Sequence, residues 1–345
     1  MASSINNSAW LEWMAALMGG VSRQAEAAAF PPDRFYCLLD ELPVHLIPRP
    51  AQEALHRRSQ NSQNLILNPD CIVTFGEQLP EELAHSAELL AGFALQGTIA
   101  WVSSYPTGLL LPFWLGHRFA SLLQSLRPND PLPATFPTEA RELFRAAGIL
   151  IPESAPAPIL NHGIDKSSAM FRERGYAPLR DLIHPFHLAA LRRYYRHLIR
   201  TGAINLGDAQ SPRRYVAYNE PVARFFHHQI AAALSAVAGE PLKPSYVYLA
   251  SYLSGAELKK HTDREQCEFS ITLCLDFSPE PALATPWPIR LDTPRGTVTV
   301  YQAIGDGLAY RGTRLPHYRD PLPEGHTSTS IFFHYVSGDF EGSLE

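Results

Sequence analysis

In the stretch LKKHTDREQCEFSITLCLDF, Leu258 to Phe277, a histidine and an aspartate stand two residues apart just before an alternating apolar run. Residues i and i+2 of an extended chain share a face, so His261 and Asp263 project the same way. A further imidazole, His317, follows in GTRLPHYRDPL at another strand-like position. Two neutral nitrogens and one carboxylate are a ligand set for Fe(II) that covers one face of the ion and leaves three positions for reactants. The low charge of that set keeps the iron divalent and able to give an electron to O2, while the vacant face admits the reactants. Ligand types alone do not decide the matter. The chain carries 14 histidines, and two polar residues at the head of a strand also read as solvated surface. A β-rich binding module without chemistry could hold the same three residues.

The elements that must position this set lie in the second half. RGYAPLRDLIHPFHLAALRRYYRHLI reads as a short strand, a turn and an amphipathic helix from about Pro185, and PVARFFHHQIAAALSAVAG as a second helix closing at Gly239. After it, SYVYLASYL, FSITLCLDF, PIRLD, GTVTVYQ, GLAYRG and TSTSIFFHYV are rich in β-branched and aromatic residues and are punctuated by Gly, Pro and Asp. Helices followed by many short strands predict a helix-supported β-sandwich or barrel. Within these elements LRRYYRHLIR reads as a solvated basic side over Tyr and Leu, His227 and His228 as packing or surface residues, and Cys267 and Cys274 as small buried hydrophobes. Tyr252, on the strand before the histidine pair, reads equally as core or as a cosubstrate contact.

The first part reads as mainly helical. EELAHSAELLAGFAL, Glu81 to Leu95, has helical spacing, and TEARELFRAAG has Thr138 as a cap and Gly148 as a stop. The composition of PESAPAP, after Ile151, is that of a linker, which divides the chain into 1–160, a helical domain for substrate access or dimerisation, and 161–345, the β-rich domain. Leu89 to His117 contains no Asp, Glu, Lys or Arg, but Gln96, Ser103, Ser104, Pro106 and Pro112 interrupt it. It is expected to form a buried or oligomeric core, a homodimer included, and not a membrane span. A formal net charge of −5 over 345 residues, with Lys and Arg scattered, gives no reason to expect a nucleic-acid partner. Cys37, Cys71, Cys267 and Cys274 lack metal or disulfide spacing, and the N-terminal stretch lacks a basic leader. The chain is therefore expected to be soluble and cytoplasmic.

Taken in order, His261-Thr262-Asp263, SITLCLDF, GDGLAYRG, His317 and GHTSTSIFFHYV resemble the double-stranded β-helix of the 2-oxoglutarate/Fe(II)-dependent oxygenases, closest in style to prolyl and phytanoyl-CoA hydroxylases. RGYAPLRDLIHPFHLAAL is similar to the strand–helix lead-in of such domains. The resemblance spans about residues 165 to 340. It implies an α+β chain whose C-terminal jelly-roll (cupin-like) domain holds Fe(II) through His261, Asp263 and His317. It also implies 2-oxoglutarate as cosubstrate, O2 as oxidant, and hydroxylation of an unactivated C–H in a small molecule, amino acid or peptide. Halogenating relatives replace the carboxylate ligand, which is present here. One departure stands out: where the family carries an Arg or Lys on the last strand, this chain has His326 or Thr327. A buried dianion needs a partner charge. Arg319, two residues after His317 and in its strand phase, is the expected partner of the distal carboxylate. His326 and Ser328 are expected to support it, with Arg311 and Arg314 as further choices. The alternative is an iron oxidase that does not use 2-oxoglutarate.

Overall fold

Within the uncharged run Leu89–His117 the chain forms strands Thr98–Ser104 and Leu109–Leu115, since residues such as Ile99, Trp101 and Val102 fit a buried pleated surface. The computed structural model describes residues 30–59, 64–104, 109–127, 130–153 and 164–345. The N-terminal stretch and the Pro-rich joint after Glu153 lie outside these residues. In chain order the first part forms helix α1 (Arg49–Ser59), strands β1 (Leu65–Leu67) and β2 (Ile72–Phe75), the single turn α2 (Glu81–Ala84), strands β3 (Thr98–Ser104) and β4 (Leu109–Leu115), helices α3 (His117–Gln124) and α4 (Thr138–Ala147), and strand β5 (Leu150–Pro152). Strands β2, β3 and β4 make one antiparallel sheet, and β1 pairs with β5.

The described residues of this part combine helices with short strands. The expected helix over Glu81–Leu95 stops at Ala84 and gives way to a 3-10 turn at Ala87–Leu90. Tertiary pairing overrides the helical pattern there: the Ala94 amide donates to the Phe35 carbonyl at 3.0 Å, and the Trp114 indole donates to the Ala94 carbonyl at 2.5 Å. Of the run Leu89–His117, the residues Leu89, Ile99, Trp101, Leu111, Phe113 and Trp114 are buried inside this one chain, as expected of a buried core. Among the described residues no helix is long and apolar enough to cross a membrane.

The second part follows its sequence pattern closely. It holds α5 (Ile164–Arg174), β6 (Tyr176–Leu179), α6 (Pro185–Arg200), β7 (Asn205–Leu206), β8 (Arg214–Tyr218) and α7 (Pro221–Ala238). Strands β9 (Leu242–Tyr252), β10 (Leu258–His261), β11 (Phe269–Ser278), β12 (Ile289–Thr293), β13 (Gly296–Val300), β14 (Gly307–Arg311), β15 (His317–Arg319) and β16 (Thr327–Ser337) come next. Helix α6 begins with Pro185 after a His184 cap, and α7 ends at Gly239, whose φ of 79° closes it in a left-handed turn. The strands form two antiparallel sheets, ordered β6-β14-β11-β16-β9-β8-β7 and β10-β15-β12-β13. Alternation in β11 explains the layering. Phe269, Ile271, Leu273 and Leu275 occupy one face and join the large core, while Ser270, Thr272 and Cys274 occupy the other. A second core of Ile289, Leu291, Leu308, Tyr310 and Leu315 joins the two sheets.

Helix α6 lies between the two parts. Its basic residues form the solvated face their pattern suggests only in part: Arg196 and Arg200 are exposed, but Arg192 and Arg193 turn inward. Arg192 is fully buried, with ion pairs to Asp276 at 2.8 Å and Glu280 at 2.6 Å and a hydrogen bond to the Leu46 carbonyl. Arg193 covers the Tyr36 ring at 3.8 Å, and Arg196 pairs with Asp276 at 2.5 Å. On the same helix the His187 Nε2 meets the Pro112 carbonyl at 2.7 Å. Residues from both sides of the Pro-rich joint therefore share one core.

That core contains neutral histidines. Burial pushes the pKa of His187 down to about 4 and that of His227 down to about 3, from an ordinary 6.5, although the carbonyls of Pro112 and His334 pull the other way. As pH falls the unfolded chain takes up these protons first. The stability is full above about pH 6.5 and is lost progressively towards pH 4, by on the order of 3 kcal/mol for His187 alone. Urea midpoints should accordingly fall between pH 7.5 and pH 5. A His187→Gln variant should fall less over that interval, whatever its stability at pH 7.5.

Candidate active site

Register brings the predicted ligands together. His261 at the end of β10 is paired directly with His317 at the start of β15, and their rings lie 4.4 Å apart. Asp263 follows β10 by two residues and is fixed by its amide, which donates to the Gly312 carbonyl at 2.9 Å. The Asp263 Oδ1 then stands 3.5 Å from the His261 Nε2 and 3.5 Å from the His317 Nε2, and the three donor atoms lie within 4.8 Å of one another. Donors at about 2.1 Å from an ion and at right angles to each other are separated by about 3 Å, so this set closes on a metal with small side-chain shifts.

Both imidazoles are oriented for that task. The His261 Nδ1 is 2.7 Å from the Lys259 carbonyl, and the His317 Nδ1 is 3.0 Å from the Leu315 carbonyl. A carbonyl only accepts, so in the neutral ring each Nδ1 carries the proton and each Nε2 keeps a lone pair that could bind a metal. The two rings differ electrostatically. Hydrogen bonding to Asp263 raises the pKa of the half-exposed His261, whereas burial lowers that of His317. Burial would raise the Asp263 pKa, but the hydrogen bond from His261 and the nearby imidazoles win and lower it.

The carboxylate has its own support, which the sequence pattern did not reveal. Its Oδ2 accepts from the Ser270 hydroxyl at 3.1 Å, and the Ser270 Oγ lies 2.9 Å from the His334 Nδ1. His334 is buried and its pKa is pushed down to about 4 by that burial. The neutral ring donates from Nδ1 to Ser270, which donates on to Asp263. Gly312 completes the cradle: a Cβ there would collide with the Asp263 Oδ2 and the Cys267 carbonyl. Only the position of Ser270 and His334 on alternating strands hinted at an inward face; that they meet depends on their pairing between β11 and β16.

The three candidate ligands line a cavity of about 1130 Å³ that also takes in Arg213, Arg214, Tyr246, Tyr248, Tyr252, Arg264, Tyr310, Phe332 and His334. Tyr252 is buried on β9, opposite Ser328 of β16, with its hydroxyl 3.4 Å from the Arg214 Nη1. Arg319 is buried on the His317 side of β15. It donates to the Trp287 carbonyl at 2.6 Å and to the Gln302 Oε1 at 3.0 Å, and its guanidinium covers the Trp287 ring at 4.7 Å. No carboxylate of the described residues pairs with it, and its Nε has no hydrogen-bond partner. The Thr272 Oγ1, on the inward face of β11, is likewise buried and unpartnered. The Gln302 side chain joins the two, since it accepts from Arg319 and donates to the Thr272 carbonyl at 2.9 Å. Ser328 is buried on the neighbouring strand. His326 does not join this group. It is half-exposed in the turn before β16, with its Nδ1 at 2.9 Å from the Glu324 carbonyl and its ring against Phe277. Arg311 pairs instead with Glu240 at 3.4 Å, and Arg314 is exposed.

The sequence matches no protein-family model and no curated protein. Among solved structures it is similar to the alpha-ketoglutarate-dependent epimerase SnoN from nogalamycin biosynthesis, in complex with Fe3+, alpha-ketoglutarate and nogalamycin RO, with 14% identity over 50% of this chain and 83% of that one and a TM-score of 0.43. A prolyl-4-hydroxylase of Pseudomonas putida is 15% identical over 51% of this chain and 100% of its own, with a TM-score of 0.41. HygX from Streptomyces hygroscopicus, with nickel, 2-oxoglutarate and hygromycin B bound, is 14% identical over 51% of this chain and 88% of its own, also with a TM-score of 0.41.

If Ser270 and His334 orient the carboxylate, a Ser270→Ala change removes the hydrogen bond without touching a ligand. Support of this kind is worth about tenfold to a hundredfold in metal affinity. Anaerobic Fe(II) titration of the variant should show that loss, with circular dichroism unchanged. Equal affinity in variant and parent would remove Ser270 from the site.

Proposed function

We propose that this chain is a non-haem Fe(II)- and 2-oxoglutarate-dependent oxygenase that hydroxylates an unactivated C–H of a small-molecule or peptide substrate. The observation that carries this is the convergence of the His261 Nε2, the His317 Nε2 and the Asp263 Oδ1, each held by a hydrogen bond through its other heteroatom. We read the two antiparallel sheets as a double-stranded β-helix, with the ligands where β10 and β15 open towards the cavity. Bound there, Fe(II) would supply the oxidation, coupled to decarboxylation of 2-oxoglutarate to succinate and CO2 with O2 as oxidant.

The residues around it would bind and orient. Arg319 is the partner we assign to the distal carboxylate of the cosubstrate, with Ser328, Tyr252 and the unpartnered Thr272 hydroxyl beside it. A buried guanidinium without an anion is unfavourable by several kcal/mol, and a carboxylate arriving next to it relieves that cost with a planar, charge-assisted contact. The apolar and tyrosine-rich walls would exclude water and seat the substrate against the open face of the metal.

Anaerobic addition of 2-oxoglutarate to the Fe(II)-loaded protein should give a weak visible charge-transfer band from bidentate binding. Arg319→Leu should retain Fe(II) binding and raise the 2-oxoglutarate concentration for half-saturation of the band by about tenfold to a hundredfold, as for loss of a charged hydrogen bond. Absence of the band in the parent protein would favour an oxidase that does not use 2-oxoglutarate, or a non-catalytic metal-binding module.

Residues 1–160 have, on this reading, the task of covering the helices behind the larger sheet. Phe225 meets Phe93 with ring centroids 4.9 Å apart, and Phe226 meets Phe35 at 6.0 Å. A chain starting at residue 161 would uncover both and should aggregate or lose Fe(II) binding. A soluble fragment that binds Fe(II) as the whole chain does would refute that task.

A further inference from the structure

We propose that the substrate is a small organic anion, a carboxylate or phosphate attached to a flat apolar body, and that Arg264, with Arg213 and Lys259, receives its charge at the mouth of the cavity. This assignment rests on the oxygenase reading only for where the reacting carbon lies.

The sign of the charge around the cavity runs against that of the chain. The whole sequence has a formal net charge of −5. Of the charged groups that line the cavity, Arg214 is paired with Asp208 at 2.5 Å and Asp263 belongs to the ligand set. Arg213, Lys259 and Arg264 remain, against Glu257 alone, and none of the three cations makes an ion pair among the described residues. On an open surface such cations would be ordinary solvated groups. Around a concave opening with low-dielectric walls they focus the field and raise the local concentration of anions.

Two of these cations are held in place. The Arg264 guanidinium lies 4.5 Å from the centre of the Tyr246 ring and its Nε donates to the Tyr246 hydroxyl at 3.3 Å. Tyr246 in turn stacks on Tyr218 with centroids 5.0 Å apart, and Tyr218 is 46% exposed. Arg213 donates to the Ser254 carbonyl at 3.2 Å. A guanidinium fixed by an aromatic ring keeps its outer N–H edge for a carboxylate or phosphate in a forked contact, at little cost in side-chain freedom. Tyr246 itself is buried between its neighbours, but the exposed Tyr218 ring stacked on it gives a flat apolar surface on which a planar body can lie. The Tyr246 ring that holds Arg264 lies 4.7 Å from the His334 ring, whose partner Ser270 bonds Asp263. Arg264, Tyr246, His334 and Asp263 all line the one cavity, so a molecule anchored at Arg264 has its body towards the candidate metal ligands. A neutral or cationic substrate would use none of this.

Direct binding tests the assignment without relying on turnover. Ligand-observed NMR on the full chain would compare phenylacetate, phenyl phosphate, benzyl alcohol and benzylamine, with and without 2-oxoglutarate. The two anions should bind about tenfold or more tighter than benzyl alcohol, as expected for one charged contact. Benzylamine should bind weakest, the anions should stay bound when 2-oxoglutarate is added, and the tighter anion identifies the preferred group. Arg264→Gln should remove about tenfold of the anion affinity and leave benzyl alcohol unchanged, while Arg264→Lys should keep part of it. Equal binding of alcohol and anions, displacement of the anions by 2-oxoglutarate, or anion binding unchanged in an Arg213→Gln/Arg264→Gln double variant would each overturn it. Added Mn(II) separates this inference from the reading beneath it. Selective anion binding without Mn(II) broadening of the probe would uphold the anion site and overturn the metal assignment. Broadening without anion preference would overturn the anion site alone.

Discussion

Everything at this site depends on keeping two imidazole lone pairs and one carboxylate oxygen pointed at the same spot without letting them satisfy each other. The same local device serves both histidines. Each sits at a strand position where its Nδ1 reaches the carbonyl two residues earlier, Lys259 for His261 and Leu315 for His317. Each ring is therefore oriented by its own backbone and needs no third side chain. What the two cannot supply locally is their proximity, which comes from the direct pairing of His261 with His317 across β10 and β15. A slip of one residue in that ladder would turn His317 and Arg319 outward together and leave Tyr318 in their place.

The inward face of the larger sheet is shaped by the same requirement. A sandwich normally fills the space between its sheets with large apolar side chains. Here β11 presents Ser270, Thr272 and Cys274, and β16 presents Ser328 and Ser330, all buried. Small residues leave volume, and hydroxyls can bond to a guest or to a ligand residue. Ser270 does the latter for Asp263. The apolar alternates of the same strands face the helices, so the larger sheet derives its packing from its back and its chemistry from its front. The Thr272 hydroxyl and the Arg319 Nε are buried in that front without a protein partner among the described residues, so both can bond to a guest or to water.

This division explains what could be read from the sequence. Strand alternation is a local signal, so β9, β11, β14 and β16 were legible, as were the shared phase of His261 with Asp263 and that of His317 with Arg319. The support of Asp263 was not, because Ser270 and His334 are far apart in the chain and meet only through the register of β11 with β16. Counting along the strand puts His326 on its inward face, but β16 begins one residue later, at Thr327, and leaves His326 in the turn. The helix expected over Glu81–Leu95 is cut short for a related reason. Glu81–Leu95 has helical spacing, yet pairing of Phe35 with Phe93 draws the chain out of a helix. Beyond Leu95 an uncharged run without clear periodicity fits a buried strand as well as a buried helix.

Helix α6 shows why the two parts belong to one machine. A fully buried arginine is tolerable only when its donors are met, and Arg192 meets them from three directions: the Leu46 carbonyl in the first part, Glu280 beyond β11, and Asp276 within β11 itself. Asp276 lies just past the irregularity between Cys274 and Asp276, where the pairing of β11 with β16 shifts register. The buried ion pair thus pins the point at which β11 changes phase. Upstream of that point Ser270 and Thr272 face inward, and the strand's hold on the first part of the chain is also its hold on the orientation of those two hydroxyls. The described residues of the first part make no hydrogen bond, ion pair or ring contact with His261, Asp263 or His317, yet through Leu46 they hold the helix that grips the strand aiming Ser270 at Asp263.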